Sequence, residues 1–118
     1  MLDLLAGKRR SHFATDLDIS NNGEKVTLMG WVHRRRDLGG LIFVDLRDHS
    51  GVIQIVFNPE NSKVIDKAHK LRNEFVISVT GEVAKRDNPN SNLETGEIEI
   101  IAEELDLLNV SEPLPVQV

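Results

Sequence analysis

Leu41-Ile42-Phe43-Val44-Asp45-Leu46-Arg47-Asp48-His49-Ser50-Gly51-Val52-Ile53-Gln54-Ile55-Val56-Phe57 is the stretch that decides the fold. Leu41–Arg47 alternates, with Ile42, Val44 and Leu46 on one face. Leu41, Phe43, Asp45 and Arg47 fall on the other. Period-two alternation of this kind predicts a half-buried strand. Asp48–Gly51 supplies turn residues, and Val52–Phe57 predicts a second strand with Ile53, Ile55 and Phe57 inward. Gln54 then points away from that core face. Two strands joined so closely form a hairpin.

Working outward, Asp37-Leu38-Gly39-Gly40 predicts a turn before this hairpin. A long strand precedes it, from about Glu24 to Arg36, introduced by the turn signal Asn21-Asn22-Gly23. Its Gly30 predicts a bulge or sharp coil. Earlier still, Thr15–Asp18 predicts a short helical turn capped by Thr15. Met1 to Ser11 is expected to be a loose arm. Downstream, Val64, Ile65, Ala68 and Leu71 form an amphipathic stripe, predicting a helix over Ser62–Arg72. Glu74–Lys85 predicts a fourth strand, Asp87–Thr95 a long polar loop, and Gly96–Leu108 a fifth strand. The fifth strand's alternation slips near Glu103-Glu104, which predicts a bulge. The order is β-β-β-α-β-β. That order is the five-stranded Greek-key OB-fold barrel, an all-β class with one helix between strands three and four.

Composition narrows function. The chain has 118 residues, which suits one domain. It contains no cysteine, which excludes disulfides, zinc–thiolate sites and thiol nucleophiles. The serines lack a nucleophile elbow. His12, His33, His49 and His69 lack metal-ligand spacing, and Gly39-Gly40 lacks the rest of a phosphate-cradling motif. No segment is long enough to cross a membrane, and a cytoplasmic location is expected. The net charge of −5 argues against a sequence-blind nucleic-acid binder. Its distribution matters more. Basic residues cluster at Lys8–Arg10, at Arg34–Arg36 with Arg47, and at Lys85-Arg86, whereas acidic residues gather after Glu94.

Four features are candidates for binding. Arg34-Arg35-Arg36 can bind phosphates and stack on bases, although alternation separates Arg35 from Arg34 and Arg36. The plainer alternative is a solvated charge run. Phe43 and Gln54 share the non-core parity of neighbouring strands, so a base can stack on one and bond the other. The alternative is that Phe43 packs beneath the arm or the helix. Lys85-Arg86 leads into the asparagine-rich Asn88–Asn92, where amides read bases or satisfy turn backbone. Glu99, in Glu97-Ile98-Glu99-Ile100, is either an ordinary outward residue or an acceptor for a cytosine amino group. Asp45 and Asp48 near His49 read as hairpin-end solvation.

Gly30-Trp31-Val32-His33-Arg34-Arg35-Arg36-Asp37-Leu38-Gly39-Gly40-Leu41-Ile42-Phe43-Val44-Asp45-Leu46-Arg47-Asp48 closely resembles the amino-terminal domain of bacterial aspartyl-tRNA synthetases. Gly51-Val52-Ile53-Gln54, Leu71-Arg72-Asn73-Glu74-Phe75 and Thr95-Gly96-Glu97-Ile98-Glu99 fit the same family in order and spacing. The resemblance implies an enzyme that joins aspartate to its tRNA through an aspartyl-adenylate, using ATP and magnesium, as a homodimer. Its amino-terminal domain grips an anticodon of G, U and C. Carried over by position, Phe43 stacks on the middle base, and Gln54 and Arg36 contact that uridine. Arg86, Asn90 and Asn92 lie near the first base and its backbone. Glu99 reads the third base, and Arg34 belongs to the same binding surface.

The chain departs from the family pattern by stopping at Pro113–Val118 and by lacking the class II catalytic motifs. Its Met1–Arg9 arm is unusual, and its loop between Asn92 and Thr95 is shorter than in some relatives. Residues 1–11 are thus expected as an arm, 12–109 as the anticodon-binding domain and 110–118 as the start of a linker. This segment is expected to bind tRNA weakly as a monomer, with no catalytic site, metal or cofactor of its own. Asparaginyl- and lysyl-type synthetases share the barrel, and a free-standing single-stranded nucleic-acid module or a protein-interaction barrel are the other readings.

Overall fold

The computed structural model describes residues 4–5, 8–9, 11–91, 93 and 95–108. The expected linker 110–118 lies outside these residues, as does Asn92. Five strands, numbered in chain order, carry the fold. They are β1 (Lys25–Leu38), β2 (Leu41–Asp48), β3 (Gly51–Phe57), β4 (Val76–Lys85) and β5 (Ile98–Leu107). One helix, α1 (Ser62–Ala68), lies between β3 and β4. The barrel is closed in the order β1-β2-β3-β5-β4, with β4 returning to β1. Only the β3–β5 contact is parallel among these pairings. The expected OB topology is therefore present.

Alternation built the core as the sequence required. Val26, Leu28, Val32, Ile42, Val44, Leu46, Ile53, Ile55 and Phe57 are all buried inside. Closure depends on β1 serving two partners. Residues from Lys25 to Trp31 pair with β4, and those from Trp31 to Leu38 pair with β2. The bulge in β1 falls between Val32 and Arg34, leaving His33 unpaired, and not at Gly30. Gly30 serves the crossing differently: a Cβ there would sit 2.3 Å from the Arg47 carbonyl oxygen. The glycine permits close backbone approach where β1 passes from its pairing with β4 to its pairing with β2. Gly30→Ala is expected to lower stability by about 1–3 kcal/mol, the range for overpacking. Urea unfolding of both proteins checks this, and an unchanged midpoint would refute it. The expected slip at Glu103 is present, because Thr80 pairs with Glu104 while Gly81 pairs with Ala102.

Several expectations need correction. Thr15 is not a cap. A 3₁₀ turn spans Ala14–Asp16 with the Asp16 carboxylate accepting from the Phe13 N–H, and a second spans Ile19–Asn21 with Asp18 as its cap. Asp48 is not solvated but 6% exposed. Its Oδ1 accepts from the Ser50 and Gly51 N–H groups, and its Oδ2 accepts from the Ala14 N–H at 2.8 Å. It thereby ties the first 3₁₀ turn to the β2–β3 hairpin. The helix stops at Ala68 rather than Arg72. Arg35 explains the stop, because its Nη1 donates to the carbonyls of Ala68 (3.2 Å) and His69 (2.8 Å). A cation at a helix C-terminus also complements the dipole. Leu71 still reaches the core through a tighter turn, and Glu74 takes φ 75°, so β4 begins two residues later than expected. Upstream of the barrel, Leu4–Leu5 pairs with Lys8–Arg9, and the Ser11 N–H donates to the Thr27 carbonyl on β1.

Candidate nucleic-acid interface

Register determines which side chains meet outside the barrel. Arg34, Asp45, Gln54 and Glu99 are successive cross-strand partners on β1, β2, β3 and β5. Arg36, Phe43, Val56 and Ile101 form the adjacent row. Each residue is two places along its strand from its neighbour in the other row. The two rows therefore share the outer face, as the pleat demands. Between them and the β4–β5 loop lies an open cavity of about 400 Å³. Arg36, Phe43, Gln54, Arg86 and Glu99 all line it. All five are sequence candidates, and the fold brings them together from β1, β2, β3, β5 and the start of the β4–β5 loop.

The remaining candidates stand apart. Arg34 is exposed and does not line the cavity, although its row position puts it beside Asp45. Asn90 lies in the loop, where its N–H donates to the Gly96 carbonyl at 2.8 Å, and it also falls outside the cavity wall. Asn92 is not among the described residues. Asn88, from the asparagine-rich candidate loop, also lines the cavity, as do Leu38, Leu41, Val56 and Asp87, which the sequence did not mark as site residues. The turn signal held a clue to two of them. Gly39 and Gly40 take φ 58° and 91°, so a two-residue hairpin sets Leu38 opposite Leu41 at the rim.

Hydrogen bonds give this face a direction. Arg36 Nη2 donates to Gln54 Oε1 at 2.9 Å, and Gln54 Nε2 donates to Glu99 Oε1 at 2.8 Å. Arginine only donates and an ionised carboxylate only accepts, so the Gln54 amide has one consistent orientation. Its burial, 5% exposed, follows from this bridging and not from an inward position. Arg36 also meets Asp45 Oδ1 at 3.4 Å and lies over the Phe43 ring, with Cζ 5.5 Å from the centroid. Phe43 is half-buried on the outer face and is not part of the core cluster. The Glu99 carboxyl is pushed above the ordinary carboxylate range, mainly by burial and further by Asp87, against opposing effects of the Gln54 bond and of Arg86. An aromatic face, an oriented amide, two guanidinium groups and a carboxylate can stack on a base and read donor and acceptor edges. Nothing in the arrangement suits a metal: no group of three or more histidine or acidic side chains converges among the described residues.

Residues 26–108 match the tRNA anti-codon family, an OB-fold nucleic acid binding domain. The chain belongs to that family. Its similarity to bacterial aspartate–tRNA ligases runs along the whole chain. It is 51% identical over 118 residues to aspartate–tRNA(Asp/Asn) ligase of Heliobacterium modesticaldum, covering 98% of this chain and 20% of that protein. It is 48% identical over 118 residues to the enzyme of the same name from Geotalea uraniireducens, again covering 98% and 20%. The chain thus spans about a fifth of the length of the relatives it matches. Among solved structures, asparaginyl-tRNA synthetase from Pyrococcus horikoshii superposes with TM-score 0.72 at 26% identity, over 90% of this chain and 24% of that one. An anticodon-binding OB domain of the aspartate–tRNA ligase type accounts for the closed barrel, its helix and the lined outer face together.

Proposed function

We propose that this domain grips the anticodon loop of aspartate tRNA on behalf of a longer ligase. The convergence of Phe43, Gln54, Arg36, Glu99 and Arg86 on one open cavity carries the reading. In it, Phe43 stacks on the middle base while Gln54 and Arg36 bond that uridine. Glu99 accepts from the amino group of the third base, a cytosine. Arg86, with Asn90 and Asn92, lies near the first base and its backbone, and Arg34 meets a phosphate. The longer protein joins aspartate to tRNA with ATP and magnesium through an adenylate, as a cytoplasmic homodimer.

A second reading concerns breadth. The relatives are named for both aspartate and asparagine tRNA, whose anticodons end in C and U respectively. The raised Glu99 carboxyl predicts that tolerance of U grows as pH falls. A protonated carboxyl donates a hydrogen bond and so suits the uracil carbonyl.

Salt titration of binding to an anticodon stem-loop tests the main reading. Each phosphate neutralised on a single strand adds about −0.7 to the log–log slope. Arg34→Ala is expected to weaken binding of all stem-loops alike and to make the slope shallower by about that amount. A flat titration of the parent chain would remove the electrostatic basis of the reading.

A further inference from the structure

Asp45 sits in the row of Arg34, Gln54 and Glu99, yet it does not line the cavity. Among the described residues its carboxylate meets the guanidinium of Arg36, with Oδ1 3.4 Å from Nη2. That same Nη2 donates to Gln54 at 2.9 Å. Arg36 thus stands between two carboxylates, Asp45 beside it and Glu99 one amide group away.

Its hold is incomplete. Arg36 Nε is buried with no hydrogen-bond partner, a costly state for a donor. The Asp45 contact is long and single. Glu99 offers a better match, because a guanidinium and a free carboxylate can form two parallel bonds. Burial makes the Glu99 charge more costly still, so it would gain from a direct cation. Such a pairing would occupy the carboxylate oxygens that face the cavity, and would release Gln54 from both of its orienting partners.

We propose that Asp45 is a positioning residue of the base-reading face: by holding Arg36 near Phe43 and Gln54, it keeps that guanidinium off Glu99. Asp45 touches no base itself. Without it, Arg36 closes onto Glu99, the amide of Gln54 loses its fixed sense, and the third-base position is read poorly. This inference rests on the anticodon reading above only for its consequence in RNA binding; the rearrangement itself needs no RNA.

The test is a cycle of four proteins: the parent chain, Asp45→Asn, Arg36→Gln and the double variant. Carbon-detected NMR follows the titration of the Glu99 carboxyl in each. In the parent its midpoint lies above the ordinary carboxylate value. In Asp45→Asn the midpoint drops below that value, because Arg36 now pairs with Glu99. In the double variant the midpoint returns upward, since the intruding cation is gone. Preference for stem-loops ending in C over U falls about fivefold or more in Asp45→Asn, within the range for coupled neighbours, and no further fall occurs when Arg36→Gln is the background. An unchanged Glu99 midpoint in Asp45→Asn overturns the proposal. An equal drop in both backgrounds also overturns it, since that would reflect only the removal of a nearby charge. If the parent chain fails to bind any stem-loop, the anticodon reading fails, while the titration still decides the role of Asp45.

Discussion

Phe43→Ala is expected to weaken binding of the aspartate anticodon stem-loop by about 1–3 kcal/mol, the range for one base stacked on an aromatic ring. Its effect on folding should be much smaller. Phe43 lies half-buried outside the barrel and is absent from the core cluster. Phe57, the other phenylalanine of this hairpin, is fully buried at 0% exposure. Truncating it leaves a cavity and should cost about 3–5 kcal/mol of stability. Fluorescence titration with labelled RNA and thermal unfolding of both variants separate these effects. A large stability loss at Phe43 with unchanged affinity would mean that the ring serves packing and not recognition.

Glu99→Gln is expected to erase most of the discrimination between third bases, by about 1–3 kcal/mol. Glutamate as an ionised group only accepts, so it suits the cytosine amino group and opposes the uracil carbonyl. Glutamine both donates and accepts, so it tolerates either base. Overall affinity should hold or rise, since a negative charge near the RNA backbone is gone. The direction of the pH effect follows from the raised carboxyl. As pH falls through that raised value, Glu99 takes up a proton, and preference for C narrows in the parent chain. The narrowing should begin at higher pH than an ordinary glutamate would give, and Glu99→Gln should not show it. Affinities for C- and U-ending stem-loops, measured for both proteins across pH, check both parts. Equal preference for C in the two proteins would show that another group reads this base.

Much of this site was legible because strand parity is a local property. Ile42 and Val44 opposing Phe43 are enough to send that ring outward, and Ile98 and Ile100 do the same for Glu99. The slip of pattern at Glu103 likewise marked a real bulge. What parity cannot supply is the pairing of strands distant in sequence. Gln54 and Glu99 are joined only by the parallel β3–β5 contact, so the burial of Gln54 was invisible. The different fates of Arg34, Arg35 and Arg36 depend on the bulge at His33 and on where α1 ends. Asp45 carried a usable signal, since it shares the face of Phe43, but its proximity to a turn suggested solvation. Asp87 and Asn88 reach the cavity because the β4–β5 loop folds over it, a placement set by tertiary contacts.

The central claim is that the face of Phe43, Gln54 and Glu99 recognises an aspartate anticodon. Affinity of this chain for the isolated aspartate stem-loop, compared with asparagine and lysine stem-loops and a poly-T strand, tests it most directly. The account predicts tightest binding to the aspartate stem-loop. The asparagine stem-loop, differing at the third base, should be weaker by at most about 1–3 kcal/mol, with the lysine stem-loop weaker again and poly-T weakest. Binding of poly-T as tightly as the aspartate stem-loop would contradict the claim.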